Sequence, residues 1–132
     1  MLQGKRIFVV EDDIMSLTIT THLLSISGAV VYKNNWGVDT IEHVRQALPI
    51  DLVLLDLMFP RGISGYDIFD HLKSTPELSG IPVVAVTACD PVIEMNRARD
   101  KGFAGYIEKP IDRARFVRQI SMVIDGTPVW GD

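Results

Sequence analysis

A stretch of six residues, 51–56, has the sequence Asp-Leu-Val-Leu-Leu-Asp, with four consecutive apolar side chains between two aspartates. Such a short apolar run is typical of a strand that is buried on both faces, as in a parallel sheet covered by helices. Pro60 then forces the chain out of the sheet. Asp56 is thus predicted at the carboxyl end of a buried strand, where open α/β sheets bind ligands. On these residues alone, Asp56 could equally cap a turn.

The same strand-then-helix pattern occurs five times along the chain. Short β-branched runs predict strands at residues 7–10, 29–32, 52–55, 81–86 and 105–108. Helical patterns follow at about 14–27, 38–47, 66–74, 91–101 and 112–124. This alternation predicts a doubly wound (βα)5 α/β fold, a three-layer sandwich with a parallel five-stranded sheet between two layers of helices. We expect one domain over residues 1–125 and a short tail over 126–132, with no output domain.

The composition limits the partners that the chain can bind. There are 13 Lys and Arg residues against 17 Asp and Glu, a net charge of −4, so no concentrated basic face for nucleic acid is expected. No apolar run approaches the roughly 18–20 residues of a membrane span, and the N-terminus lacks the apolar core of a secretory signal. Cys89 is the single cysteine, which excludes an intrachain disulfide. We expect a cytoplasmic protein that binds neither nucleic acid nor membrane.

Reactive side chains stand at the ends of the other predicted strands. Glu11 and Asp12 follow the first strand, Thr87 ends the fourth, and Lys109 follows the fifth. Because the carboxyl ends of parallel strands meet at one edge of a sheet, we expect these side chains to lie around Asp56. Threonine is also a common turn cap and lysine is commonly solvated, so the functional prediction rests on their convergence.

Three carboxylates in one place disfavour their own ionisation unless a cation neutralises them. A hard divalent ion such as Mg²⁺ (or Mn²⁺) takes oxygen ligands and suits this set. Zinc is disfavoured because His22, His43 and His71 all fall inside predicted helices. A carboxylate beside a metal and an ammonium can attack phosphorus and become an acyl phosphate.

Four segments together resemble the receiver domain of bacterial two-component response regulators, of the stand-alone, single-domain type. They are residues 9–12 (Val-Val-Glu-Asp), 56–60 (Asp-Leu-Met-Phe-Pro), 86–88 (Val-Thr-Ala) and 106–110 (Tyr-Ile-Glu-Lys-Pro). The resemblance covers nearly the whole chain and implies the flavodoxin-like strand order 2-1-3-4-5. The chain departs from the family pattern after Pro60, where the loop is one residue longer and Ser64-Gly65 replaces the frequent Asp-Gly. Phe59 also replaces a common Met.

The resemblance implies a role for each residue of the acidic group. Asp56 is the expected phosphoacceptor. Asp12 is the expected direct Mg²⁺ ligand, Glu11 is expected to act through water, and Met58 to offer its backbone carbonyl. Asp13 lies one place beyond the acidic pair and is expected to be a surface or helix-cap residue.

The remaining matched residues are expected to contact the phosphoryl group or to transmit its presence. Lys109 would pair with the phosphoryl group, Thr87 would contact its oxygens, and the small Ala88 would leave room for them. A cis bond is implied before Pro110. Thr87 and Tyr106 would form a switch that alters the surface of the fourth helix, fifth strand and fifth helix.

We therefore expect a phosphorelay receiver that takes its phosphoryl group from a histidine kinase or a histidine phosphotransfer protein. It would hydrolyse that group itself and signal to an unknown downstream protein, as a monomer or a phosphorylation-dependent dimer, without acting as an enzyme on a separate substrate. One alternative is a Mg²⁺-dependent phosphohydrolase with an aspartyl nucleophile, which is disfavoured because Met58 stands where such enzymes usually carry a second Asp. Another is a constitutive interaction module, which the intact site residues disfavour. Trp36 and Trp130 have no assigned role.

Overall fold

The computed structural model describes residues 1–34 and 39–131, in which strands and helices alternate. The strands are β1 (Arg6–Val10), β2 (Val30–Asn34), β3 (Leu52–Leu55), β4 (Val83–Thr87), β5 (Gly105–Glu108) and β6 (Val129–Trp130). The helices are α1 (Ile14–Ile26), α2 (Thr40–Ala47), α3 (Gly65–Ser74), α4 (Pro91–Lys101) and α5 (Phe116–Ile124). A 3₁₀ turn, Pro60–Gly62, lies between β3 and α3. No helix in the described ranges could span a bilayer, since that takes about 20 residues and α1, the longest, has 13.

All strands of the sheet run parallel, in the order β2-β1-β3-β4-β5-β6. The flavodoxin-like order 2-1-3-4-5 is confirmed. Strand β3 lies between β1 and β4, where Leu55 pairs with Val10 on one side and Ala85 on the other. Every residue of β3 is buried, as its uninterrupted apolar run predicts.

Alternate side chains of the central strands contribute to two separate apolar cores, one on each face of the sheet. On one face, Val53 and Leu55 pack in a cluster with residues of α2, α3 and α4. On the other face, Leu52 and Leu54 pack in a cluster with residues of α1 and α5. The period of two along a strand thus produces the predicted three-layer sandwich.

The prediction of five strands is wrong by one, because residues 129–130 of the expected tail join the sheet as β6. Gly126, with φ of 98°, reverses the chain after α5. Val129 then pairs with Gly105 and is buried. A Cβ atom at Gly105 would lie 2.8 Å from the Val129 carbonyl oxygen, so β6 can approach because that side chain is absent. A two-residue strand is too short to produce a recognisable sequence pattern.

Several helix and strand boundaries also differ from the sequence prediction. Helix α5 begins at Phe116 and not at Asp112, because the Asp112 carboxylate accepts the Ala114 N–H at 2.9 Å and forms a turn first. Thr87 belongs to β4. The predicted start of α2 at Val38 lies outside the described residues, and so does Trp36.

Candidate functional site

Main-chain hydrogen bonds hold the predicted site residues at the carboxyl edge of the sheet. The Asp56 N–H donates to the Val10 carbonyl at 3.1 Å, which ties the end of β3 to β1. The Lys109 N–H donates to the Thr87 carbonyl at 2.9 Å, which ties the end of β5 to β4. Side chains at the ends of four strands are therefore fixed relative to one another by the sheet itself.

The three acids that the sequence analysis singled out form one cluster. Carboxylate oxygens of Glu11, Asp12 and Asp56 all lie within 4.8 Å of one another. Glu11 and Asp56 are buried, with 4% and 8% of their surface exposed, and Asp12 is half-buried. Asp13 does not join the cluster; its carboxylate accepts the Ser16 N–H at 3.0 Å and caps α1, as predicted.

Lys109 is the cation that faces this cluster. Its ammonium donates to Asp56 Oδ2 at 2.9 Å and forms an ion pair with Glu11. Burial alone would lower the pKa of Lys109, but the hydrogen bonds to Glu11 and Asp56 outweigh it and raise the pKa, so the ammonium stays charged. Burial raises the pKa of Glu11 to about 7; Lys109 opposes that rise and the nearby Asp56 adds to it.

The turn after β3 fixes the other oxygen of Asp56. Asp56 Oδ1 accepts the N–H of Leu57 at 2.7 Å and the N–H of Met58 at 3.4 Å. The start of α3 passes close to the end of β3, and this requires glycine at position 65. A Cβ atom at Gly65 would lie 2.1 Å from the Asp56 carbonyl oxygen. Met58 is 68% exposed, and its main-chain N–H is the group that contacts Asp56.

The departures from the family pattern leave this turn intact. Ser64 accepts the Tyr66 N–H at 3.1 Å and caps α3, a function that aspartate also fills at this position of a helix. The extra loop residue is accommodated by the 3₁₀ turn, in which Arg61 adopts a φ of 63°. Phe59 is buried in the core that covers this face of the sheet.

The predicted Thr87 and Tyr106 pair is connected through Cys89, which sequence reasoning treated only as a loop residue. Thr87 is buried, and its hydroxyl accepts the Cys89 N–H at 3.2 Å. Tyr106 is fully buried, and its hydroxyl donates to the Cys89 carbonyl at 2.9 Å. Ala88, between Thr87 and Cys89, is exposed. The Lys109–Pro110 bond is cis, as the resemblance implies.

A second tyrosine near the site was also missed by the sequence analysis. The Tyr66 hydroxyl donates to the Glu94 carboxylate at 2.5 Å, and the Arg97 guanidinium lies 4.1 Å from the centre of the ring. Burial and the bond to Glu94 raise the pKa of Tyr66. This contact joins α3 to α4. The only sequence signal was the polar character of α4, which a solvated face explains equally well.

The donor set of the cluster fits a small divalent cation. It consists of carboxylate oxygens, which hard ions such as Mg²⁺ prefer. Among the residues that the structure describes, the Lys109 ammonium faces these three carboxylates, so the pocket retains negative charge for a cation to neutralise. His22, His43 and His71 lie in α1, α2 and α3, as predicted, and are not part of the cluster.

Comparison with known proteins identifies the family to which this geometry belongs. The family model of the response regulator receiver domain matches residues 7–121. The chain is a member of the response regulator receiver family. It is therefore a two-component signalling module and not a conventional enzyme.

Individual relatives agree with the assignment to the receiver family. The chain is 34% identical over 116 residues to the polar-differentiation response regulator DivK of Brucella ovis, covering 88% of this chain and 93% of the relative. A CheY-like receiver domain protein from Methanospirillum hungatei superposes with a TM-score of 0.80 at 22% identity, over 93% of this chain and 95% of that one. The Vibrio cholerae chemotaxis protein CheY4 superposes with a TM-score of 0.82 at 17% identity, over 91% of this chain and 98% of that one. At such identities the structures support the fold alone.

Receiver domains bind Mg²⁺ at an acidic pocket and interact with kinases or phosphotransfer proteins. The acidic cluster of this receiver lies at the carboxyl edge of its sheet, at the ends of β1 and β3.

Proposed function

We propose that this receiver accepts a phosphoryl group on Asp56 from a histidine kinase or a histidine phosphotransfer protein. The observation that carries the proposal is the setting of Asp56. It is a buried carboxylate at the end of the central strand, 2.9 Å from the Lys109 ammonium and clustered with Glu11 and Asp12. Burial and surplus negative charge are unfavourable for a purely structural residue, and such settings are common at reactive groups.

In the proposed transfer, a carboxylate oxygen of Asp56 forms a bond to phosphorus as the P–N bond of a phosphohistidine breaks. The electron pair stays on the imidazole nitrogen, which takes up a proton. Lys109 lies where it would neutralise a phosphoryl oxygen. The Thr87 hydroxyl accepts the Cys89 N–H, so its own O–H can be donated to another phosphoryl oxygen. Hydrolysis by water would later break the acyl phosphate and restore the carboxylate.

Glu11, Asp12, Asp56 and the Met58 carbonyl are the groups that would hold Mg²⁺ (or Mn²⁺) in this receiver. When bound, the ion supplies positive charge against the phosphoryl oxygens. Asp12 and Asp56 are proposed as direct ligands, and Glu11 as a ligand through water.

A protein phosphodonor is supported by the apolar surface around the site. Several large apolar side chains are exposed on segments that leave the carboxyl edge of the sheet, in the first turn of α1, the turn after β3 and the first turn of α4. They are Ile14, Met15, Met58, Val92 and Ile93. An apolar rim of this kind favours contact with another protein over a small, highly charged substrate alone. Met58 also offers no proton for the general-acid step of a phosphohydrolase.

Residues 1–125 are proposed as the receiver unit, with 126–132 appended to it. The signal would leave through the surface formed by α4, β5 and α5, as a monomer or a phosphorylation-dependent dimer. Tyr106 supports this route because it lies in β5 and bonds to the loop between β4 and α4.

Acetyl phosphate with Mg²⁺ provides the test, with the phosphoryl adduct measured by intact mass spectrometry. Asp56→Asn should abolish the adduct, and chelation of Mg²⁺ should do the same to the unaltered chain. Asp51→Asn is the matched control, because Asp51 lies at the opposite end of the same strand; it should leave labelling unchanged. Undiminished labelling of Asp56→Asn would contradict the proposal.

A further inference from the structure

Residues 127–131, here called the terminal segment, contain β6 (Val129–Trp130), which lies along the outer edge of β5. Val129 pairs with Gly105 and Trp130 pairs with Tyr106 in parallel register. The Gly131 N–H donates to the Tyr106 carbonyl at 2.8 Å. An edge strand presents unpaired main-chain groups, and on β5 the chain fills part of that edge with its own residues.

Helix α4 forms the second side of this contact. The Arg99 guanidinium lies 4.6 Å from the centre of the Trp130 ring. Met95, one helical turn earlier, packs with Trp130 against the same apolar cluster that contains Tyr106. The terminal segment therefore occupies a groove between the β5 edge and the flank of α4.

Two glycines, one in β5 and one in the terminal segment, allow the terminal segment to pack closely in this groove. A Cβ atom at Gly105 would lie 2.8 Å from the Val129 carbonyl oxygen, and a Cβ atom at Gly131 would lie 2.8 Å from Met95 Cε. Gly131 also adopts a φ of 86°, which side chains disfavour. The closeness of the contact thus depends on the missing side chain at Gly105 and on the backbone conformation at Gly131.

A short series of hydrogen bonds leads from the terminal segment to the acidic site. Gly131 binds the main chain of Tyr106, whose side chain is fully buried and donates to the Cys89 carbonyl at 2.9 Å. The Cys89 N–H donates to the Thr87 hydroxyl at 3.2 Å, at the end of the strand beside Asp56. Each hydrogen bond joins residues from neighbouring elements. Movement of the terminal segment would therefore displace Tyr106 and, through it, the loop after β4.

We propose that the edge of β5 and the flank of α4 form a docking surface for the chain's own terminal segment, whose docking holds Tyr106 buried and thereby favours the phosphoryl-bound state of the Asp56 site. The link to Asp56 rests on the proposed function, in which Tyr106 lies on the route of the signal, and on the further premise that Tyr106 stays buried when Asp56 carries a phosphoryl group. Coupling between two sites is reciprocal, so a phosphoryl group on Asp56 would in turn tighten docking.

The first experiment measures docking in the full chain without any phosphoryl donor. Trp130→Ala should speed amide hydrogen exchange at Gly131 about tenfold, as expected for loss of an aromatic anchor, and should also speed exchange at Cys89. Gly105→Ala should do the same without removing the aromatic ring. Thr127→Ala, an exposed position in the same segment, is the control and should match the unaltered chain. Unaltered exchange at Gly131 in both test variants would overturn the docking surface.

The second experiment measures the coupling, with beryllofluoride and Mg²⁺ as a mimic of the phosphoryl group. Trp130→Ala should bind the mimic about three- to tenfold more weakly than Thr127→Ala. The mimic should slow exchange at Gly131 of the unaltered chain by a similar factor. Equal affinities in the two variants would overturn the coupling. Failure of the unaltered chain to bind the mimic would contradict the proposed function and, with it, the coupling, while the docking surface is decided by the first experiment alone.

Discussion

The two ends of β3 carry the same residue type in opposite settings. At the amino end, Asp51 is exposed, and its carboxylate accepts the Arg6 N–H at 2.8 Å. The Arg6 guanidinium donates to the carbonyls of Pro49 at 2.6 Å and Ala47 at 2.9 Å. These bonds give the Asp51 carboxylate and the Arg6 guanidinium their partners, and they tie the start of β1 to the segment that leads into β3.

At the carboxyl end, Asp56 is buried and shares one ammonium with Glu11. Among the described residues, negative charge in this cluster exceeds the single ammonium of Lys109, because Asp12 also belongs to the cluster. The two aspartates thus differ in burial and in surrounding charge, not in residue type, and our proposal assigns the reactive role to the buried one. The predictions below test that distinction, from the largest effect to the smallest.

Lys109→Gln should give the largest loss of stability. It leaves Asp56 and Glu11 buried without their ammonium, and breaking a buried ion pair typically costs about 3–5 kcal/mol. We expect the free energy of unfolding to fall by about 3 kcal/mol, measured with urea in the presence of a chelator. Arg45→Gln, which breaks the exposed pair with Glu77, should cost far less, because ion pairs at the surface contribute little to stability. Equal losses would contradict the contrast between buried and exposed charge.

Stability should also depend on pH through Glu11. Its pKa rises from 4.5 to about 7 in the folded chain, chiefly through burial. The folded state therefore keeps a proton that the unfolded state has lost, so this group stabilises the fold most below pH 4.5 and the contribution disappears as pH rises to about 7. In the presence of a chelator, the free energy of unfolding of the unaltered chain should fall between about pH 5 and pH 8 by on the order of 2 kcal/mol more than that of Glu11→Gln. Parallel pH profiles for the two chains would contradict the assignment.

Asp12→Asn should separate stability from metal binding. Removing one of three clustered carboxylates relieves repulsion, so the metal-free chain should gain up to about 1 kcal/mol in unfolding free energy. Binding of Mg²⁺, measured by calorimetry, should weaken by at least about tenfold. Asp100→Asn, at an exposed position of α4, serves as the control. If Asp12→Asn bound Mg²⁺ as tightly as the unaltered chain, the assignment of Asp12 as a metal ligand would be wrong.

Asp51→Asn should have the smallest effect. The asparagine oxygen can still accept the Arg6 N–H, and the site is exposed, so the free energy of unfolding should change by less than about 0.5 kcal/mol. Mg²⁺ affinity should remain that of the unaltered chain. A loss as large as that of Lys109→Gln would show that the two ends of β3 do not differ as described.

Most of the fold could be predicted because the central strands are buried on both faces. Uninterrupted apolar runs such as Leu52–Leu55 mark the central strands, and alternation with helices gives the layers. Because the carboxyl ends of parallel strands meet at one edge of the sheet, the proximity of Asp56, Lys109 and the acidic pair could be predicted without any knowledge of side-chain contacts. These predictions follow from local patterns and from topology.

The features that could not be predicted depend on contacts between distant residues. Strand β6 forms because Gly105 has no side chain, and Cys89 joins Thr87 to Tyr106 through its main chain. The bond between Tyr66 and Glu94 requires the packing of α3 against α4. Strand β6 and the Cys89 contacts produce no periodic or compositional signal. The polar character of α4 is explained equally well by a solvated face, so it does not predict the bond to Tyr66.

Borohydride reduction followed by peptide mass spectrometry tests the central claim most directly. Reduction converts an acyl-phosphorylated aspartate to homoserine, which records the site of phosphorylation within the chain. After treatment with acetyl phosphate, we predict homoserine at position 56 when Mg²⁺ is present and none there when it is chelated. Homoserine at position 51 or 12 in place of 56, or a product that does not depend on Mg²⁺, would contradict the assignment of Asp56 as the phosphoacceptor.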